Sequence, residues 1–285
     1  MLAPVQREVL YSDPHMRIRL VMFICLTSVA QNLTIQAPPR TLPAYVSEKL
    51  SAPDRALFEK LMGVGLEAAW VATTEEGYPQ CFINELTALN TDRRLVGRAR
   101  TIRYLPNRKD LREKLYSAGP QLNYRSSEDA QPGDVLVFDA GGETHATVTG
   151  VMTTTRLMMR GGSGVVVDGC MRDIPDLAAT PASVYVRCGH ASTVSPLLMS
   201  VDYQVPVRIG SVTVIPRDIL IGERHGILVI PAAIVDKVLA KAMAHDRQEE
   251  FQRKLLLEGQ SIYGVYPALN EENRKRFDQF KEERK

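Results

Sequence analysis

The stretch from Asp134 to Asp173 constrains the fold of this chain more than any other. It contains two apolar runs of strand length, Val135 to Phe138 and Val165 to Val167, and glycines follow each of them closely. Residues 151–160, between the two runs, contain neither Gly nor Pro, which favours a short helix that begins directly after Gly150. The pattern therefore predicts one compact strand–helix–strand unit.

Arg172 and Asp173, close behind the second apolar run, are the strongest candidates for chemistry. A planar guanidinium matches the two oxygens of a carboxylate, and an Asp carboxylate is a hard ligand that suits Mg²⁺. Backbone N–H groups at the start of the predicted helix, near Met152 and Thr153, also favour anions. Together these groups predict a site that binds the carboxylate of a 2-oxo acid and places its keto oxygen on a metal.

A metal in such a site stabilises an enolate as it forms, which aldol cleavage or decarboxylation of a 2-oxo acid requires. By itself, however, an adjacent Arg-Asp pair is also typical of a surface ion pair or a helix cap. Residue types and spacing alone leave both interpretations open.

Composition excludes other classes of function. The formal net charge of +2 predicts no general attraction to nucleic acid or to an acidic membrane. The apolar run near the N-terminus, within residues 16–30, is too short to span a bilayer. The four cysteines, Cys25, Cys81, Cys170 and Cys188, form no CxxC pair, so we expect free thiols or buried small side chains rather than a zinc site or a disulfide framework.

Residues 1–45 differ from the rest and predict an N-terminal leader or extension. Met16 to Ala30 has the layout of a secretory signal peptide: basic residues, an apolar run and a small-x-small ending. We expect a cytoplasmic protein, with export as the alternative if translation starts at the first residue of that segment. A folded domain is predicted over residues 46–268, followed by a charged helix over residues 269–285.

The remaining pattern predicts an α/β protein of short strands with a helical C-terminus. Helices are expected at 52–62, 66–73, 109–116 and from Pro231 to Gly259, and strands at 184–186, 205–209, 212–215, 219–221 and 227–230. Residues 95–104 alternate in part, as a half-exposed strand does. Three arginines of this strand, Arg98, Arg100 and Arg103, fit a solvated face better than an anion site.

Three segments carry a resemblance to a known family. They are GDVLVFDAGG, GGSGVVVDGCMRD and RIGSVTVIPRDILIGERHGILVIP, and in order and spacing they resemble the RraA-like family over about residues 55–267. That family includes class II 4-hydroxy-4-methyl-2-oxoglutarate aldolases and regulators of ribonuclease activity. The resemblance implies an α/β fold with a central β-sandwich-like core flanked by helices. It also implies a homotrimer or hexamer with a Mg²⁺ or Mn²⁺ site between subunits.

The resemblance also assigns roles to residues of this chain. Arg172 corresponds to the arginine that binds the pyruvyl carboxylate, and Asp173 to the metal ligand. The loop of Gly150, Val151, Met152 and Thr153 corresponds to the segment that lends backbone amides to the substrate. A glutamate on a neighbouring subunit's C-terminal helix holds metal waters in the family, and Glu249 or Glu250 matches it best.

Val151 departs from the family pattern. The aldolases carry an acidic residue directly after the loop glycine, where it is thought to orient the water that protonates the enolate. A valine cannot transfer a proton, so another group replaces the acidic residue, the metal-bound water acts unaided, or the reaction is not that of the classical aldolases. Glu143 and His145 in the upstream loop are candidates for a substitute, and the alternative is that they are solvated loop residues.

Two functions follow as expectations. The first is a divalent-metal-dependent carbon–carbon lyase, a pyruvate-releasing aldolase with oxaloacetate decarboxylation as a related activity. The second is a non-catalytic RraA-like protein that regulates a ribonuclease or another partner by binding. The intact Arg172-Asp173 pair favours the enzyme, whereas Val151 favours the binding protein. A changed substrate, such as a sugar-derived 2-keto-3-deoxy acid, is not separable from the first by sequence.

Overall fold

The structure is a computed structural model that describes residues 48–117, 121–193 and 197–282. The signal-peptide-like segment and Cys25 lie outside these residues. The helices are α1 (Ala52–Gly63), α2 (Leu66–Glu75), α3 (Lys109–Ser117), α4 (Leu122–Glu128), α5 (Val151–Met159), α6 (Ile174–Ala179), α7 (Val235–Leu257) and α8 (Glu271–Glu282). A short 3₁₀ helix, Ala232–Ile234, precedes α7.

Eleven strands lie within the described part of the chain. They are β1 (Phe82–Ile83), β2 (Thr87–Ala88), β3 (Leu95–Pro106), β4 (Asp134–Thr149), β5 (Gly164–Met171), β6 (Ser183–Gly189), β7 (Leu198–Tyr203), β8 (Val207–Ile209), β9 (Val212–Val214), β10 (Ile219–Glu223) and β11 (Gly226–Ile230). Nine of them form one mixed sheet in the order β1-β11-β10-β3-β4-β5-β6-β2, with β7 also paired to β3. Strands β8 and β9 form a separate antiparallel pair.

The large sheet is buried on both faces. One face packs against α1, α2 and α7 over β10 and β11, and against α5 and α6 over β4 to β6. The β8–β9 pair covers the opposite face. Strands that are buried on both faces need apolar side chains at successive positions, which explains the unbroken Val165 to Val167 run of β5. The predicted α/β fold class is confirmed.

The central unit forms as predicted. Strands β3, β4, β5 and β6 run parallel, and α5 connects β4 to β5. The helix begins at Val151, directly after Gly150. The predicted helices at 52–62, 66–73 and 109–116 and the short later strands are also present, with ends shifted by a few residues.

The interpretation of the β3 arginines as a solvated face was wrong for two of them. Arg98 pairs with Asp54 of α1 at 2.6 Å, and Arg100 pairs with Asp134 of β4 at 2.6 Å. Their side chains are only 14% and 11% exposed, because Phe58 of α1 packs against the Arg98 guanidinium and Tyr203 of β7 against that of Arg100. Both guanidiniums are thus engaged in ion pairs within the chain, and only Arg103 is substantially exposed.

The C-terminal helix packs on its own chain. Phe277 and Phe280 of α8 pack against Phe251 of α7 in tilted arrangements, each at a ring-centroid distance of 5.3 Å. Leu255 is buried in the same cluster. The opposite face of α8 is charged. Because charged residues dominate the composition of this helix, the sequence does not readily reveal the apolar stripe that packs against α7.

The expectation of free thiols was wrong for two of the cysteines. Cys170 of β5 and Cys188 of β6 form a disulfide, with Cα atoms 4.5 Å apart. They are opposite each other because β5 and β6 pair in parallel, a register that the sequence does not reveal. Cys81 is a buried free thiol, as expected. Burial raises the pKa of Cys81 to about 11.

A pair of leucine substitutions tests the helical layer over β10 and β11. Leu61 of α1 is fully buried, whereas Leu257 at the end of α7 is 81% exposed. We expect Leu61→Ala to lower the free energy of unfolding by about 2–5 kcal/mol, because it removes buried contacts and leaves a cavity. The matched Leu257→Ala is expected to change it by less than about 0.5 kcal/mol. Urea denaturation followed by circular dichroism measures both, and equal effects would contradict this packing.

Candidate functional site

The site is built where β4 ends and α5 begins, beside the end of β5. Thr149 of β4 pairs with Met171 of β5, so Gly150 lies next to Arg172. The backbone N–H of Val151 donates a hydrogen bond to Asp173 Oδ2 at 3.2 Å. The structure therefore brings together the helix start and the Arg172-Asp173 pair, two features that are more than twenty residues apart in sequence.

Asp173 adopts an unusual backbone conformation. Its φ of 60° and ψ of 34° are left-handed, which costs energy for a residue other than Gly and is found where surrounding structure enforces it. Although Asp173 occupies the N-cap position of α6, its side chain accepts no capping hydrogen bond from that helix. The carboxylate points instead to the start of α5 and to Arg172, whose Nε is 3.6 Å from Oδ2.

Gly150 is required by the close approach of these elements. A Cβ at this position would lie 2.7 Å from Asp173 Oδ2 and 2.8 Å from Arg172 Cγ, both shorter than van der Waals contact. Glycine is therefore required at this position because there is no room for a side chain. Its backbone conformation is not the reason, since it is extended and any residue adopts that conformation. Its lack of a side chain lets the two charged side chains approach the loop closely.

Three threonines support this loop from the core side. The hydroxyls of Thr153 and Thr154 donate to the carbonyl of Gly150 at 3.3 and 3.0 Å, and Thr149 shares a hydrogen bond with Thr153. All three residues are buried. Sequence reasoning missed the roles of Thr149 and Thr154, although the Thr-rich start of a helix after a glycine is a signal for such bonds.

The first turn of α5 supplies donors for an anion. The N–H groups of the first helical residues have no acceptor within the helix, and the helix dipole favours negative charge there. Val151 uses its N–H on Asp173, and Met152 and Thr153 follow it in the same turn. Met152 is 75% exposed, so its side chain lies at the surface beside these donors. Val151 packs partly against the core.

Arg172 and Asp173 are accessible at the surface. Their side chains are 43% and 33% exposed, so both charged groups can reach a small ligand. A donor set of one carboxylate, with water in the remaining positions, fits Mg²⁺, which retains most of its waters in proteins. These residues therefore fit the divalent cation expected from the sequence.

Glu249 and Glu250 lie on a different part of the molecule. They are exposed on α7, which packs against α2 and α8, whereas the site is formed by β4, α5, β5 and α6. His245, Asp246 and Glu249 place one potential ligand atom each within 4.8 Å of one another. Asp246 is already occupied, because it accepts a hydrogen bond from Gly65 N–H at the start of α2.

Glu143 and His145 border a separate cavity of about 510 Å³, which Arg103, Asp139 and Arg208 also line. None of the described residues at the Arg172-Asp173 site lines this cavity. The carboxylate of Glu143 accepts hydrogen bonds from His145, and the backbone N–H of His145 holds the pKa of Glu143 below its ordinary value. Glu143 lines a cavity that the Arg172-Asp173 site does not border, and its lowered pKa keeps the carboxylate ionised near neutral pH, so the arrangement does not support it as the replacement for the missing acid.

Comparison with known proteins now identifies the family. A family model described as RraA-like, Aldolase/RraA, matches residues 72–229, more than half of the chain. The chain belongs to the RraA-like family. The matched region contains strands β1 to β10 and the whole candidate site.

Individual relatives are similar at modest identity. A Halalkalibacterium halodurans protein named "Putative 4-hydroxy-4-methyl-2-oxoglutarate aldolase" is 28% identical over 169 residues, which cover 59% of this chain and 74% of that protein. Protein DlpA of Legionella pneumophila is 24% identical over 223 residues, 78% of this chain but only 33% of the relative. The chain therefore spans about a third of the length of DlpA.

A solved structure of the family has the same fold. Streptomyces coelicolor RraAS2, described as an unusual member of the RNase ES inhibitor RraA protein family, superposes with a TM-score of 0.62 at 29% identity. The match covers 70% of this chain and 97% of RraAS2. Among the described helices of the present protein, none has the length and apolarity needed to cross a membrane.

Substituting Gly150 tests the packing of the site. We expect Gly150→Ala to lower the free energy of unfolding by about 1–3 kcal/mol, because the added Cβ displaces the Arg172 and Asp173 side chains. Gly63→Ala is the matched control, since a Cβ on Gly63 meets no atom within 4 Å. Urea denaturation of the two variants measures the difference. A Gly150→Ala variant as stable as the control would show that the site tolerates the methyl group.

Proposed function

We propose that this protein is a divalent-metal-dependent carbon–carbon lyase acting on a 2-oxo acid. Its reaction is pyruvate-releasing aldol cleavage, with decarboxylation of oxaloacetate as a related activity. The hydrogen bond from Val151 N–H to Asp173 is the observation that carries this proposal, because it joins a helix N-terminus to the Arg-Asp pair in one site. Membership of the RraA-like family and the aldolase name of a relative support it.

Each residue has a role in this proposal. Arg172 binds the carboxylate of the 2-oxo acid through its planar guanidinium, and the N–H groups of Met152 and Thr153 share the negative charge. Asp173 holds Mg²⁺ or Mn²⁺. When bound, the metal stabilises the negative charge that develops on the keto oxygen. Gly150 allows the backbone to approach both charged side chains.

The proton for the enolate carbon comes from solvent in this proposal. Val151 has no proton to give, and Glu143 lies at a different cavity with a lowered pKa. The exposure of Arg172 and Asp173 allows water to reach the site in the single chain. A neighbouring subunit is proposed to enclose it in a trimer or hexamer, with Glu249 or Glu250 reaching the metal waters.

Pyruvate release from oxaloacetate in the presence of Mg²⁺ tests the proposal directly. We expect Asp173→Ala to reduce the rate by about two orders of magnitude or more, because it removes the metal ligand. Arg172→Lys keeps the charge but loses the planar fork, so it is expected to raise the KM for oxaloacetate. Asp92→Ala and Arg55→Lys, both on exposed surfaces, are the matched controls and are expected to retain full activity.

The same assay gives the result that would contradict the proposal. Each rate is corrected by subtracting the pyruvate release that Mg²⁺ causes without protein. If the corrected rate of Asp173→Ala equals that of the wild type, the assignment of the site is wrong. Removing the metal with a chelator is expected to abolish the wild-type rate, and adding Mg²⁺ or Mn²⁺ to restore it.

A second function is supported by Val151 and by the likeness to RraAS2. The family's proton-handling position holds a valine here, which is what a binding protein without catalysis would show. RraAS2 is described as belonging to an RNase inhibitor family, so the corresponding proposal for this chain is a regulator of a ribonuclease. Dose-dependent inhibition of a ribonuclease of the RNase E class by the purified protein, without pyruvate release, would favour this function over the lyase.

A further inference from the structure

The disulfide between Cys170 and Cys188 lies at a weak point of the sheet. The β4–β5 register is irregular from Asp139 onwards, and the β5–β6 register shifts between Val167 and Cys170. The pairing of β5 with both neighbours is thus interrupted before it resumes at Cys170 and Met171. The disulfide is the covalent connection that ties this end of β5 to β6.

The same end of β5 leads directly into the candidate site. Cys170 precedes Arg172 by two residues and Asp173 by three. Asp173 has a left-handed backbone, and such a conformation persists only where its surroundings enforce it. Beyond the strand pairing at Cys170 and Met171, two backbone hydrogen bonds hold the segment next to the disulfide: Arg172 N–H to Thr149 O at 3.3 Å and His190 N–H to Met171 O at 3.0 Å.

We propose that the Cys170–Cys188 disulfide is a redox-sensitive lock on the site that Arg172 and Asp173 form. In the oxidised form it holds the end of β5 so that Asp173 remains beside the start of α5. Reduction releases the strand end, and the left-handed backbone of Asp173 relaxes. The regulatory consequence rests on the proposed lyase function, but the effect on the strand end does not.

The two cysteines differ in exposure. Cys170 is fully buried, whereas Cys188 is partly exposed. A thiolate of a dithiol reductant therefore attacks Cys188 Sγ and forms a mixed disulfide, and the Cys170 sulfur leaves as a thiolate that takes up a proton. The second thiol of the reductant, as a thiolate, then attacks the other sulfur of the same reductant molecule, which is bonded to Cys188 in the mixed disulfide. This step releases the Cys188 thiol and leaves the reductant as a cyclic disulfide.

Cys81 provides an internal reference for measuring this exchange. Its thiol is buried with a pKa of about 11, so it stays protonated and unreactive toward alkylating reagents near neutral pH. A Cys25→Ser background removes the remaining cysteine. In that background the native protein is expected to gain two alkylated thiols when dithiothreitol is added before the alkylating reagent, and mass spectrometry counts them.

Hydrogen exchange of the folded protein tests the lock without reference to activity. We expect reduction to speed amide exchange in the peptide containing residues 169–174 by about an order of magnitude or more, because the cross-link no longer opposes local opening. A Cys170→Ala/Cys188→Ala variant should show the fast exchange with and without reductant. Cys81→Ala should respond as the wild type does. The proposal is overturned if amide exchange is unchanged after complete reduction. It is also overturned if dithiothreitol does not reduce the disulfide in the native protein.

Pyruvate release by the oxidised and reduced proteins then separates the lock from the proposed function. A roughly tenfold loss of rate on reduction, comparable to the loss of an outer-shell contact at a metal site, supports regulation of the site. Faster exchange on reduction with no pyruvate release in either form supports the lock and refutes the lyase. Equal rates in the two forms, with pyruvate released, overturn the regulatory role.

Discussion

The parallel pairing of β4 with β5 is the constraint on which the site depends. It places the end of β4, and with it Gly150, beside the end of β5, where Arg172 and Asp173 follow. Backbone hydrogen bonds of a buried sheet hold this arrangement, and the helix α5 that connects the two strands starts at the same point. The site therefore rests on the sheet on one side and is open toward solvent on the other, where both charged side chains are partly exposed.

The site combines strain and close packing. Asp173 has a left-handed backbone, and Gly150 must lack a side chain because Asp173 and Arg172 approach it so closely. Buried threonine hydroxyls hold the Gly150 carbonyl from behind, and the cross-link to β6 holds the end of β5. Functional sites commonly concentrate such costs, since the rest of the fold stabilises a conformation that the local sequence does not favour.

Much of this arrangement was predictable from local pattern. The Val runs, the Gly-free segment after Gly150 and the Arg-Asp pair predicted the strand–helix–strand unit and its charged end, and the family motifs predicted the fold class. Contacts between distant segments were not predictable. Arg98 was expected in solvent, but α1 supplies Asp54 to pair with it. Cys170 and Cys188 were expected as thiols, but the β5–β6 register places them opposite each other.

The sequence by itself thus determined which residues can carry chemistry and which segments form strands and helices. Periodicity, glycine placement and residue type act locally, and they are legible without a structure. Only the tertiary structure decided that Val151 N–H meets Asp173, that Glu143 lies at another cavity, and that a disulfide borders the site. The physical reason is that strand register and the packing of helices on a sheet depend on many weak long-range contacts, which no short stretch of sequence specifies.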